Sequence, residues 1–200
     1  MANLNTVGFG LIAAGTIGST PANQGQGKYY IESAYATSIY QGASVLMYQG
    51  YIHQGQSVKT NKSIGIFNGC FYNAATTLKP TWSNHFVKAT APANSENAQA
   101  FVIDNKDQLF VGVGAAAVPQ TNIGKTCGLT VVAAGVATGG STINGQSDSF
   151  LLTGATNNTL HQWRLVRTAE DPSNNDIASV NGSYVVSHNL NQYDTAVSWQ

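Results

Sequence analysis

Apolar and polar side chains alternate along this chain in short runs, and glycine ends most of them. Successive side chains on a strand point to opposite faces, so such runs predict half-buried strands. The stretch from Tyr29 to Tyr72 organises the reading: it holds most of the tyrosines, no proline, and breaks at Gly42, Gly50 and Gly55. Tyr30 to Ile39 predicts a strand with Tyr35, Thr37 and Ile39 on one face and Ala36, Ser38 and Tyr40 on the other. Val45 to Tyr48 predicts the next strand, closed by a turn at Gln49-Gly50. Ile64 to Tyr72 predicts the strongest, with Ile64, Ile66, Cys70 and Tyr72 on one face and Gly65, Phe67, Gly69 and Phe71 on the other. Two glycines on one face point to a bend, or to close approach of a backbone or an aromatic ring.

Asn73 to Asn97 reads as a long excursion, with Pro80, Trp82, His85, Phe86 and Pro92 among small polar residues. Loops of that length often carry an interface, which makes Trp82, His85 and Phe86 contact candidates; the other reading is a lid over the protein's own core. Ala98 to Ile103 and Gln108 to Val113 flank Asp104-Asn105-Lys106-Asp107, and two β-rich runs around a short polar turn predict a hairpin. Ala115 to Gly128 carries Pro119 and suggests a turn of helix. Leu129 to Ala134, Ser149 to Leu152, Trp163 to Val166 and Ser183 to Ser187 predict further short strands, with a glycine-rich piece from Gly135 to Gly145. The fold class expected is all-β, a sandwich or barrel of short antiparallel strands. Residues 1–27 have no sustained period and read as an extended N-terminal arm whose Leu4, Val7, Phe9 and Leu11 pack on something. Residues 28–200 form the β body, with a second small β subdomain, if there is one, starting at about 116.

Charge narrows the function. Charged residues are 9% of the chain, against roughly 25% in an average globular protein, and nine basic side chains balance nine acidic ones. Nucleic-acid binding needs a basic face to neutralise phosphates, and the lysines and arginines here are scattered. Arg164 and Arg167, on a strand, are expected on opposite faces. A weakly charged surface repels neighbours little, so it suits lasting contact with other proteins. Cys70 and Cys127 read as free thiols, and the start of the chain fits neither a signal peptide nor a membrane span.

Candidate chemistry fails position by position. Gly124-Lys125-Thr126 ends like a phosphate-binding loop, but Pro119 stands where the motif needs glycine. Gly25-Gln26-Gly27 lacks the third glycine of a dinucleotide fingerprint. His53, His85, His161 and His188 have no metal-ligand spacing, and Ile143 stands where a nucleophile elbow needs glycine. Asp104, Asn105 and Asp107 do not make a twelve-position calcium loop, and Glu170-Asp171 is the one adjacent carboxylate pair, in a turn before Pro172. No catalytic residue, metal ligand or cofactor is expected, and the chain reads as a non-enzyme.

The order of motifs resembles a group of tailed-bacteriophage virion proteins that decorate or cement the capsid. The resemblance rests on MANLNT with Gly8-Phe9, then Tyr30-Ile31 with Tyr35-Ala36-Thr37, Ile39, Gly42 and Val45. It continues through Ile64-Gly65-Ile66-Phe67-Asn68-Gly69-Cys70-Phe71-Tyr72, the tryptophan region at Trp82, the Ala100 to Val113 segment, and Trp163-Arg164-Leu165-Val166 before an Asp-Pro-Ser-Asn turn. Two places depart from the group: Gly10-Leu11 where Arg-Pro often follows Gly-Phe, and Ser83 where proline often follows the tryptophan. The resemblance implies a protein on the outer surface of the virion head that bridges major capsid protein subunits. It also implies self-association, a trimer first and a dimer second, with no nucleic acid or membrane as partner. The interface residues expected on this basis are Leu4, Val7, Phe9, Leu11, Tyr29, Tyr30, Trp82 and His85, aromatics being the usual anchors. The alternative is a virion-associated tail part or a glycan- or receptor-binding module.

Overall fold

The computed structural model describes residues 3–4, 7–18, 25–55, 62–130, 139–156 and 161–194. Twelve strands appear among them: β1 (Ile12–Thr16), β2 (Gly27–Ile31), β3 (Ser44–Tyr48), β4 (Tyr51–Gln54), β5 (Gly65–Asn73), β6 (Pro80–Ser83), β7 (Ala98–Ile103), β8 (Gln108–Val113), β9 (Thr126–Leu129), β10 (Leu151–Thr156), β11 (Trp163–Thr168) and β12 (Ser183–His188). The helical pieces are three-residue 3-10 turns. The strands form two antiparallel six-stranded sheets in a sandwich-like arrangement, with no closed barrel. The first runs β1-β8-β12-β11-β9-β10; the second runs β2-β7-β5-β3-β4, with β6 paired to β5.

Each sheet has its own apolar cluster. Phe110, Trp163, Leu165, Tyr184 and Val186 centre the first, with Phe110 edge-on to Trp163 at 5.5 Å. Ile31, Val45, Ile52, Phe67, Cys70 and Val102 centre the second, which Ile39 and Phe86 close from the loops. Two residues of the second sheet, Ile66 and Ile103, enter the first sheet's cluster and join the layers.

That junction depends on a bulge. The register of β5 against β7 shifts between Phe67 and Gly69, so Asn68 is an extra residue. The expected alternation therefore changes parity midway: Ile66 faces the first sheet, while Phe67 and Cys70, three apart, share the second cluster. Both expected uses of glycine occur. A Cβ on Gly65 would meet the Ile103 carbonyl, and one on Gly69 (φ +149°) would lie 2.8 Å from Trp82 Cζ2.

Several expectations need correction. The Ala98–Ile103 and Gln108–Val113 strands have the expected ends but do not form a hairpin. β7 is held on both edges by β2 and β5, and β8 on both edges by β1 and β12, so neither has an edge left for the other. The turn between them instead carries the chain from one sheet to the other; Asn105 Oδ1 accepts from the Asp107 N–H at 3.0 Å and fixes it. The Tyr30–Ile39 strand stops at Ile31, and Ala34 takes φ +60°, because loop 32–43 folds back to lay Ile39 and Tyr40 in the interior. The 73–97 excursion contributes β6 and then the lid, held by the Ile39–Phe86 bridge. The strands after residue 116, β9 to β12, share a sheet with β1 and β8. The expected Leu129–Ala134 strand lies at Thr126–Leu129, with 131–134 outside the described residues. A second bulge, between Leu165 and Arg167, puts Arg164 and Arg167 on the same face, opposite Ser187 and Val185. The Gln49-Gly50 turn stands as read, both residues at positive φ between the paired Tyr48 and Tyr51.

The N-terminal segment is not a free arm in its described part. β1 pairs with β8 from Ile12↔Val111 to Thr16↔Gln108, and the Ile17 N–H donates to the Asp107 carbonyl at 2.9 Å. Leu11 lies in the first core, against Gly112, where a Cβ would sit 2.7 Å from Leu11 Cδ2. Replacing Leu11 by alanine is expected to cost about 3 kcal/mol through lost burial and a cavity. Urea unfolding checks this; a loss under about 1 kcal/mol would show that the segment merely rests on the body.

Candidate functional site

Three surface features stand out. Among the described residues no three His, Cys, Asp or Glu side chains group to hold a metal ion. Burial pushes the thiols of Cys70 and Cys127 up to about 12, which leaves them protonated and unreactive. No helix among the described residues is long and apolar enough to cross a membrane.

The first feature is the N-terminal strap. Asn3 clamps it to the loop before β12: its Nδ2 donates to the carbonyls of Asp176 (3.0 Å) and Val180 (2.8 Å), and its Oδ1 accepts from the Asp176 N–H at 3.1 Å. The Leu4 N–H donates to Ser173. Leu4 and Val7 are 75% and 65% exposed, and Ile12, Ile17 and Val180 are exposed as well. The first charged side chain of the protein is Lys28. The strap is therefore an uncharged aliphatic surface held in place by backbone and carboxamide bonds.

The second feature is a row of side chains across the outer face of the second sheet. Trp82 on β6 pairs with Phe71 on β5, Phe71 with Gln99 on β7, and Gln99 with Tyr30 on β2. Trp82 and Tyr30 are 58% and 54% exposed, and Phe71 is 37% exposed. The row spans three strand-to-strand steps, roughly 14 Å. The next row holds Gly69, Phe101 and Lys28. Because Gly69 has no side chain, the indole of Trp82 comes close to the β5 backbone there, and the residue stays exposed.

The third feature is a cleft of about 310 Å³ further along that face, where the strap crosses it. Leu11, Ile66, Phe67, Ile103 and Phe9 are among its apolar lining, and its polar members are four carboxamides: Gln26, Gln41, Asn68 and Gln146. Gln41 Nε2 donates to Asn68 Oδ1 at 2.9 Å, which holds the bulge residue's side chain in place.

The eight expected contact residues fall into separate places. Leu4 and Val7 are on the strap, and Phe9 is half-buried at the cleft. Leu11 belongs to the protein's own core and is not available to a partner. Tyr29 is half-buried, its hydroxyl donating to Asp104 Oδ2 at 2.6 Å and lying 2.7 Å from the Tyr193 hydroxyl. Burial and the Asp104 carboxylate raise its pKa. Tyr30 and Trp82 share the exposed row. His85 stacks on buried Tyr40 at 5.7 Å, and Phe86 is fully buried. The sequence reading missed Phe71, Gln99 and Phe101. Strict alternation along β5 places Phe71 on the same face as Phe67, and only the bulge at Asn68, which the sequence pattern did not reveal, brings it out into the row with Tyr30.

The chain matches no protein-family model, none of the curated proteins and none of the solved structures.

Two histidines beneath these surfaces make stability depend on pH. His53 sits edge-on to the rings of Tyr35 (4.7 Å) and Tyr48 (5.3 Å); burial lowers its pKa, with Glu32 opposing. Burial also lowers that of His85. As pH falls through the ordinary value of 6.5, the unfolded chain takes up protons that the folded chain refuses. Stability therefore drops between 6.5 and the lowered values and levels off below them. Thermal melts from pH 7.5 to 5 should show falling midpoints, flattened in the His53→Gln, His85→Gln variant. Imidazoles at these two positions that titrate at or above 6.5 by NMR would contradict the burial argument.

Proposed function

We propose that this protein is a bacteriophage capsid decoration protein: it binds the outer surface of the head and bridges major capsid protein subunits. The observation that carries the proposal is the N-terminal strap. A surface segment that exposes Leu4, Val7, Ile12 and Ile17 with no charged side chain costs little to desolvate against another protein and gains from burying aliphatic area. The clamp by Asn3 reduces the ordering entropy lost on contact. The charge-poor surface and the resemblance of the motif order to virion decoration proteins support the same reading. In mechanical terms, each bridge adds interface that must be broken before subunits separate under internal pressure. An interface of roughly 1,200–2,000 Å² per copy is the scale required. Self-association as a trimer, with a dimer second, fits the repeated sites that a symmetric shell offers.

The test uses particles stripped of the protein and purified full-length chain. Electron cryo-microscopy should place it across capsid subunit boundaries at a copy number in keeping with the head lattice. Leu4→Asp and Val7→Asp leave the core untouched, and each should cut occupancy by on the order of tenfold, since a charge would have to be desolvated in the contact. Density at the tail alone, or wild-type occupancy for both variants, would overturn the proposal.

A further inference from the structure

We infer that the carboxamide-lined cleft and the aromatic row beside it form one binding site for a neutral polysaccharide chain. The two lie on the same face of the second sheet. Ile66 and Ile103 of the cleft lining are register partners, and Gly69–Phe101–Lys28 and then Phe71–Gln99–Tyr30 follow along the same strands. The chemistry of the two parts differs in a way that suits one kind of ligand. A pyranose ring presents weakly positive C–H groups on its flat sides, which rest on the electron-rich face of an aromatic ring. Trp82, Tyr30 and Phe71 offer such surfaces, and the gap at Gly69 seats the indole against the sheet before any ligand arrives. The hydroxyls around a sugar ring both donate and accept, as carboxamides do. Gln99 sits in the middle of the row, and Gln26, Gln41, Asn68 and Gln146 line the cleft.

Charge points the same way. Neither the row Trp82–Phe71–Gln99–Tyr30 nor the cleft lining contains a charged side chain, and the row between them carries Lys28. An anionic polymer would find no array of cations here, and a nucleic acid no basic stripe. The site shares no side chain with the exposed aliphatic residues of the strap apart from Ile12 at the cleft margin. Leu4 and Val7, the strap positions varied above, do not line the site.

The experiment is an NMR titration of the purified chain with maltohexaose, cellohexaose and chitohexaose, and with a heparin hexasaccharide as the charged probe. At least one neutral hexasaccharide should shift the Trp82 indole N–H saturably while leaving that of buried Trp163 in place. Trp82→Ala should weaken that binding about tenfold, the order expected for one lost stacking ring. Tyr30→Ala and Gln146→Ala should weaken it severalfold, and Trp82→Phe, which keeps a ring, should retain most of it. The inference fails if no neutral probe saturates, if heparin binds as well as the best neutral probe, or if Trp82→Ala and Gln146→Ala both bind like wild type. It fails equally if Trp82→Ala abolishes attachment to capsids while no saccharide binds, because the row would then be a protein interface. Loss of attachment in the strap variants with saccharide binding intact separates the two sites.

Discussion

One inserted residue, Asn68, sets most of what this molecule presents. A strand that alternated strictly from Ile66 would put Cys70 and Tyr72 on the face that meets the first sheet, and Phe71 in the second sheet's interior. The bulge reverses the parity. Ile66 can then enter the first core while Phe67 and Cys70 close the second. Phe71 comes out beside Tyr30 and Trp82, and the carboxamide of Asn68 is turned into the cleft. The joining of the sheets, the cleft and the aromatic row share this cause, which ties the interior packing to the chemistry of the surface.

The body is otherwise stabilised by means that need few charges. The described ion pair, Arg167 with Glu170 at 3.7 Å, is exposed and contributes little. One buried polar pair is satisfied by short neutral contacts: Ser44 Oγ donates to Ser63 Oγ at 2.9 Å, and Ser63 Oγ reaches the Val45 and Gly65 carbonyls at 3.0 Å.

The all-β class, the Gln49-Gly50 turn and the ends of β7 and β8 were legible because each is set by residues adjacent in sequence. Partner choice was not. Whether two neighbouring strands pair depends on which edges other strands occupy, and β1 and β2, far away in the chain, had already filled the edges that a β7–β8 hairpin would use. Trp82 and Tyr30 were legible as contact residues by type, but their common row was not, since it needs the register of four strands. Leu11 was misread for the opposite reason. An apolar residue in a glycine-rich segment looks available until the Gly112 gap that receives it is in view.

The pairing of Thr16 with Gln108, and of Ile17 with Asp107, has a consequence for how the chain is put together. Every strand of the second sheet lies between those two points, and every strand of the first lies outside them. The second sheet is thus a guest carried within a single connection of its host, entering and leaving through one doorway. Close the doorway with a tight turn, and β1 and β8 would still be an antiparallel pair. The guest brings the whole aromatic row and only one wall of the cleft, while Ile66 and Ile103 tie it back into the core of the layer that carries it.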